Sequence, residues 1–131
     1  MRSTFIRLAA AASVATLAAL AAPAIAADAG STGLFSGRSG HATSGSVKIV
    51  KDGDGYIVEL GPNFSLDNGP DPKVGFGRDG KFVPGTLIGA LKSLKGSQSY
   101  RAPASLDIRT FDQVYIWCER FAVPLGAAQL N

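Results

Sequence analysis

The chain has 131 residues, and its 13 Lys and Arg against 10 Asp and Glu give a formal net charge of +3. No basic block interleaves with aromatic residues, which argues against a nucleic-acid-binding protein. The sequence contains one cysteine and one histidine. An internal disulfide, a zinc site of cysteines and histidines, and a blue-copper site each need more such residues, so all three are excluded.

The N-terminus has the three-part pattern of a secretory signal peptide. Arg2 and Arg7 precede an apolar run at residues 8–20, and Ala24-Ile25-Ala26 supplies the small residues that a signal peptidase reads. We predict cleavage after Ala26, or one residue later. An uncleaved anchor is the alternative, but the run is shorter than the ~20 residues that span a bilayer. The pattern therefore predicts an extracytoplasmic protein, periplasmic or secreted.

Removal of residues 1–26 leaves one domain of ordinary size. We expect a flexible lead-in at residues 27–32 and a single β domain at residues 33–131. The signal carries two arginines, so 11 basic residues face 10 acidic ones in the mature chain. No second transmembrane segment is present in the sequence, and we expect a monomer without a membrane span.

Glycine and proline at short intervals predict short strands joined by turns. A first strand is predicted at residues 33–36, followed by a glycine- and serine-rich loop, residues 37–45, that contains His41. Asp52-Gly53-Asp54-Gly55 is typical of a hairpin turn between two strands. Those strands and the later ones are predicted at residues 46–51, 56–60, 73–76, 82–83, 97–102, 114–118 and 121–125. We therefore predict an all-β fold, a single-domain sandwich or small barrel of short antiparallel strands.

Three details of this prediction depend on single residues. Leu87 to Leu94 have a partly helical spacing interrupted by Gly89, so we predict an extended segment or one helical turn. Pro124 predicts that the last strand lies at a sheet edge, because proline cannot donate a ladder hydrogen bond. The glycines of residues 75–80 have dinucleotide-motif spacing, but Lys81-Phe82-Val83-Pro84-Gly85 cannot form the helix which that motif requires.

The strand at residues 114–118 contains the cysteine and the only tryptophan. Side chains alternate along a strand, so Val114, Ile116 and Cys118 should share an inner face, with Tyr115 and Trp117 on the other. A lone cysteine in an exported chain is a free thiol, an intermolecular partner, a ligand, or a buried inert residue. Thiolate ligation of haem, or a sulfenic-acid or mixed-disulfide cycle, needs only one cysteine.

Several short motifs occur in a characteristic order along residues 33–130. They are Gly33-x-Phe35, His41-x-x-x-Gly45, Asn63-Phe64, Asn68-Gly69-Pro70-Asp71, Leu87-x-Gly89-x-Leu91-Lys92, Lys95-Gly96-Ser97-Gln98-x-Tyr100 and Val114-x-Ile116-Trp117-Cys118-x-x-Phe121. With them the chain resembles the DM-thirteen electron-transfer domain. That resemblance implies an extracytoplasmic β domain in which Cys118 matches the signature cysteine, working as a naked thiol or as the ligand of a prosthetic group such as haem.

Two functional hypotheses follow. In the first, the protein is an exported redox domain in which Cys118 is the redox group or a cofactor ligand. Trp117, His41 and Asp71 are then candidates for lining a cofactor site, and the partner is a separate redox or DOMON-like protein. In the second, it is a binding or adhesion module that presents loops 37–45 and 66–72, with Cys118 as a core residue. No hydrolase or dehydrogenase motif is present, so the redox hypothesis concerns electron transfer and not independent catalysis.

Overall fold

The computed structural model describes residues 27–131, together with Ala11 and Ser13. The predicted signal peptide lies almost entirely outside the described residues. Within the described part of the chain, no helix is long and apolar enough to cross a membrane.

Nearly all regular structure in the described residues is β-structure, which confirms the all-β prediction. One short 3₁₀-helix, Ile108–Thr110, interrupts it. The strands in chain order are β1 Thr32–Gly37, β2 Thr43–Ser44, β3 Ser46–Asp52, β4 Gly55–Leu60, β5 Ser65–Leu66, β6 Pro72–Arg78, β7 Lys81–Phe82, β8 Gly89–Ala90, β9 Gln98–Ala102, β10 Gln113–Cys118 and β11 Val123–Gln129.

Antiparallel pairing joins most strands into one curled sheet that resembles half of a barrel. Its order is β7-β6-β10-β11-β1-β3-β4-β9, with β8 beside β6, and β2 pairs with β5 as a separate ribbon. Strand β1 joins two parts of the sheet, one that contains β11 and one that contains β3. Its first residues, Thr32 to Leu34, pair with β3, and its last, Phe35 to Gly37, pair with β11. The sheet therefore changes direction along β1 and curls around one core.

The β3–β4 hairpin forms where the sequence predicts it. Asp52 and Gly55 are the last paired residues, and Gly53 adopts a φ of 59° in the turn. Glycine reaches this left-handed conformation without a Cβ penalty. Alternation on β3 places Val47 and Ile49 inside, so the turn also fixes which face of the hairpin enters the core.

Strand β10 lies in the middle of the β6-β10-β11 part of the sheet and supplies the centre of the core. Val114, Ile116 and Cys118 are each fully buried and belong to the core cluster, as predicted from alternation. Around them the aromatic rings pack in pairs. Phe35 meets Phe64 edge-on with ring centroids 5.4 Å apart, and Phe76 stacks on Phe111 at 5.5 Å.

The prediction of an edge strand at Pro124 is wrong. The strand runs over Val123–Gln129, later than predicted, and lies between β10 and β1. Pro124 is tolerated because the β10–β11 register shifts between Ile116 and Trp117, opposite the proline. A bulge of this kind accommodates a residue that cannot donate to the ladder.

Two other segments are better defined by the structure than by the sequence. The lead-in at residues 27–32 bonds to the rest of the domain, because the Ala27 amide donates to the Phe111 carbonyl and the Gly30 amide to the Ile49 carbonyl. The ambiguous segment after Pro84 is extended, and Gly89 and Ala90 pair with β6 as β8. Tertiary partners, which local sequence does not reveal, order both segments.

Candidate functional site

Cys118 ends β10 with its side chain directed inward and fully buried. Its backbone lies level with Pro72 on β6 and Val123 on β11. The thiol donates a hydrogen bond to the carbonyl oxygen of Pro70, with Sγ 2.9 Å from that oxygen. The cysteine is therefore held as a free thiol beneath a loop that arrives from another part of the chain.

That loop is residues 67–71, here called the covering segment. Asp67, Asn68, Pro70 and Asp71 are exposed, whereas Leu66 immediately before them is fully buried. Within the segment, Gly69 approaches the core closely, because a Cβ at that position would lie 2.7 Å from Leu125 Cδ1. The covering segment is thus a thin layer over the thiol with little apolar burial of its own.

The first end of the covering segment is joined to loop 37–45 through His41. The His41 ring nitrogen Nδ1 lies 3.0 Å from the Asp67 carboxylate. The backbone N–H groups of Ala42 and Asn68 also donate to that carboxylate, and with His41 they hold the pKa of Asp67 below its ordinary value. The Asp67 amide in turn donates to the Ala42 carbonyl.

Lys73 fixes the other end. Its ammonium lies 3.2 Å from the Asp71 carboxylate and 2.9 Å from that of Glu119, the residue after Cys118. The hydrogen bond that Lys73 donates to Glu119, followed by the one that it donates to Asp71, raises the pKa of Lys73. The Glu119 amide also donates to the Asp71 carbonyl at 3.3 Å. These contacts attach the covering segment to the strand end that carries the thiol.

Trp117 lies on the outer face of the sheet, opposite Cys118, as alternation predicts. It forms an aromatic cluster with Phe82 and Tyr115. The Trp117 and Phe82 rings stack with centroids 3.9 Å apart, and Tyr115 meets both rings edge-on. Tyr115 is buried in this cluster and Trp117 is half-buried. The tryptophan is adjacent to the thiol in sequence, but the sheet separates the two side chains.

Three of the four predicted site residues, Cys118, Asp71 and His41, belong to the covering segment or bond to it. Asp71 follows the carbonyl that accepts from Cys118, and His41 holds the start of the same segment. Neither side chain bonds to the sulfur, and Trp117 points away from it. Sequence reasoning missed Pro70, Lys73 and Glu119. The Asn68-Gly69-Pro70-Asp71 motif was the available signal for the covering segment, whereas nothing local identified Lys73 as its partner.

The surroundings of Cys118 do not fit a haem. The sulfur is fully buried among core side chains, and its hydrogen bond to Pro70 occupies the side facing the covering segment. In the described residues, every buried side-chain nitrogen or oxygen already has a hydrogen-bond partner. None is therefore left for a cofactor to satisfy. Ligation by Cys118 would require displacement of the covering segment together with the neighbouring core.

Other surface features lie away from the thiol. A groove of about 290 Å³ near the β3–β4 turn is lined by Lys51, Tyr56, Leu106 and Arg109, among others. It mixes charges of both signs, since Arg109 bonds to Asp107. Among residues 27–131 no group of three or more His, Cys, Asp or Glu side chains is arranged to hold a metal ion.

Comparison with known proteins gives a family for this arrangement. The family model described as electron transfer DM13 matches residues 35–130, which include β10, Cys118 and the covering segment. No curated protein and no solved structure matched the chain in the corresponding searches. The match spans most of the chain and agrees with the ordered motifs and with the all-β fold. The chain therefore belongs to the electron transfer DM13 family and carries a redox-related domain.

Proposed function

We propose that this protein is an exported redox domain in which the Cys118 thiol is the redox group. The observation that supports this most is the position of the thiol. It is the one cysteine of an electron-transfer family domain, at the end of a central strand beneath a thinly packed segment. Export by the N-terminal signal would bring the domain to an oxidising compartment, where an unpaired cysteine is exceptional. Its partner would be a separate redox protein.

The chemistry that one cysteine can carry is thiol–disulfide exchange with a small-molecule or protein disulfide. After losing its proton to solvent, the Cys118 sulfur attacks one partner sulfur. A bond to that sulfur forms as the partner's S–S bond breaks, and the departing partner thiolate takes up a proton. Cys118 is oxidised and the departing sulfur is reduced. A second external thiol must release the mixed disulfide, because the described chain has no resolving cysteine.

Glutathione disulfide tests this proposal. The purified mature protein is incubated with it under native conditions and its intact mass is followed in time. We expect one glutathione adduct on the native protein, its removal by dithiothreitol, and no adduct on Cys118→Ser. The serine is a suitable control because a hydroxyl can still donate to the Pro70 carbonyl. A native protein that forms no adduct, while the denatured protein does, would contradict a redox thiol.

The visible spectrum of the purified protein tests the cofactor alternative. We expect no haem band before or after addition of dithionite, because Cys118 is covered and packed. A band that shifts on reduction and disappears in Cys118→Ser would show that the cysteine is a ligand and that the packing around it changes on cofactor binding.

The second candidate function is a binding module that uses the loops at the Cys118 end. Full burial of Cys118 favours it, since a packed cysteine behaves as a small hydrophobe. Phe121, in the turn between β10 and β11, is 62% exposed at the same end and could anchor a partner. This alternative predicts that iodoacetamide labels Cys118 only after global denaturation.

A further inference from the structure

Cys118 is fully buried, so a reagent reaches its sulfur only when neighbouring residues move. Leu66, just before the segment, is buried in β5, and Pro72, just after it, is half-buried in β6, whereas the segment itself is mostly exposed. Regions with few buried apolar contacts open locally at a lower free energy than the whole domain. Residues 67–71 can therefore open while β6 and β10 stay paired, and such opening would remove the Pro70 carbonyl from the thiol.

Backbone strain is present at the end of the segment nearest the thiol. Asp71 has a φ of 54°, in the left-handed region that residues with a Cβ rarely adopt. It also precedes Pro72, and the proline ring favours an extended conformation for the residue before it. Such conformations persist only where surrounding contacts enforce them. Here those contacts are the Lys73 ammonium on the Asp71 side chain and the Glu119 amide on its carbonyl.

We infer that residues 67–71 form a latch over Cys118, and that Lys73, by bridging Asp71 and Glu119, sets how often the latch opens. His41 holds the far end through Asp67, so the latch lies between two side-chain attachments, His41 at one end and Lys73 at the other. The latch is a property of the fold, but its use in controlling thiol reactivity rests on the proposed redox function. In that role, a partner able to compete for Lys73 or for the two carboxylates would expose the thiol.

Native-state thiol labelling measures the latch directly. The rate at which Ellman's reagent modifies Cys118 is compared in the wild type, Lys73→Met and Arg101→Met at increasing urea concentrations. Methionine retains much of the lysine stem and removes its charge. Arg101 is the matched control, because it pairs with Asp52 and Asp54 near the β3–β4 turn, away from the thiol.

We expect the labelling rate to rise about two-fold or more in Lys73→Met and to stay unchanged in Arg101→Met, in line with the loss of two exposed ion pairs. Sodium chloride at about 1 M should accelerate the wild type, because it screens exposed charges, and should leave Lys73→Met nearly unaffected. At low urea the rate should depend on urea far more weakly than global unfolding does.

Equal rates in Lys73→Met and Arg101→Met would overturn the latch, and so would labelling that tracks global unfolding at every urea concentration. If Lys73→Met does not fold, the dependence of the wild-type labelling rate on urea and salt still tests the latch. The glutathione experiment separates this inference from the proposed function. If Cys118 is labelled through local opening but forms no glutathione adduct, the latch is supported and the redox role is contradicted. If Cys118 forms the adduct but its labelling rate does not depend on salt, the redox role is supported and the latch is contradicted.

Discussion

Cys118 has two roles at the scale of the single residue: it fills the core and it donates to Pro70. The packing role follows from full burial on the inner face of β10, and it would exist without any redox chemistry. The hydrogen bond joins a strand end to a loop 48 positions away in sequence. A variant can remove one role and keep the other, so the two can be measured separately.

Replacing Cys118 with alanine should lower the free energy of unfolding by about 1–3 kcal/mol, because it removes a buried sulfur and leaves a small cavity. Urea denaturation followed by Trp117 fluorescence measures the change. Ser105→Ala, at an exposed position, is the control and should stay within about 0.5 kcal/mol of the wild type. A loss for Cys118→Ala no larger than for the control would show that the sulfur is not packed.

Asp67 should make stability depend on acid pH. Its pKa is lowered in the folded protein, chiefly by the Ala42 and Asn68 amides, relative to about 3.9 for a free aspartate. Its contribution is therefore present above that ordinary value and is lost as pH falls through the lower folded pKa. Asp67→Asn should be less stable than the wild type at pH 7, and the difference should shrink below about pH 4.

Urea denaturation of Asp67→Asn and the wild type at several pH values between about 2 and 7 measures this difference. Asp54→Asn is the matched control, since the Asp54 side chain is 85% exposed. The expected result is a pH-dependent difference for Asp67→Asn alone. A difference that stays constant down to the lowest pH would contradict the assigned carboxylate contacts.

At the scale of the element, the Gln98-x-Tyr100 part of β9 organises the loop before it. The Gln98 amide donates to the carbonyls of Ser93 and Gly96, while its oxygen accepts from the Ser93 amide and the Tyr100 hydroxyl. The Tyr100 oxygen accepts from the Lys92 amide at 2.8 Å. The side chains of Gln98 and Tyr100 thus supply hydrogen-bond partners for the backbone of a loop that has little regular structure of its own.

Tyr100→Phe should therefore cost about 1–2 kcal/mol, because it leaves the Lys92 amide without its partner while keeping the ring. Burial raises the pKa of Tyr100, so the contribution of the neutral phenol persists to about pH 10 and is lost as pH rises through the folded pKa. Urea denaturation at pH 7 measures the cost. Tyr56→Phe, on a half-buried ring with no hydroxyl bond among the described contacts, is the matched control.

The aromatic cluster on the outer face depends on a glycine in the neighbouring strand. A Cβ at Gly77 would overlap the ring of Tyr115 and lie 2.7 Å from the Lys81 carbonyl oxygen. Gly77→Ala should therefore displace Tyr115, disturb the stack of Phe82 on Trp117, and cost about 1–3 kcal/mol.

Near-UV circular dichroism reports the aromatic packing in Gly77→Ala, and urea denaturation reports its stability. Gly55→Ala is the control, because a Cβ there would have no neighbour closer than 3.4 Å. An unchanged aromatic spectrum for Gly77→Ala would mean that Tyr115 can move without affecting the stack.

At the scale of the whole molecule, β11 holds the two halves of the sheet together. It pairs with β10 on one side and with β1 on the other, and β1 continues to β3. The last residues add to this closure, since Leu130 is buried and the Asn131 amide donates to the Thr32 carbonyl. The fold is therefore completed by residues at the far end of the chain.

Removal of residues 126–131 should prevent folding, because it uncovers β1 and β10 together. We expect the truncated protein to lose the dispersed amide spectrum of a folded β domain in a proton–nitrogen NMR correlation experiment. Removal of Asn131 alone is the control and should keep the dispersion. A folded 1–125 chain would show that β11 beyond Leu125 is not required for the sheet.

The all-β class, the β3–β4 hairpin and the inner position of Cys118 could be predicted from the sequence. These follow from local rules: Asp-Gly turns tolerate positive φ, and alternation assigns the faces of a strand. The motifs also led to the family, because the resemblance rests on their residues and on their order along the chain. The first three conclusions depend on residues close together in sequence, whereas the family depends on motifs spread over residues 33–130.

The segment that covers the thiol and the position of β11 within the sheet depend on tertiary contacts. Pro124 indicated an edge by its missing donor, but the bulge next to it in β11 depends on a strand partner that the local sequence does not specify. The Pro70 carbonyl reaches Cys118 and Lys73 bridges Asp71 to Glu119 because the sheet brings β6 beside β10. Contacts between such distant residues follow from chain topology, which no local pattern of residue types determines.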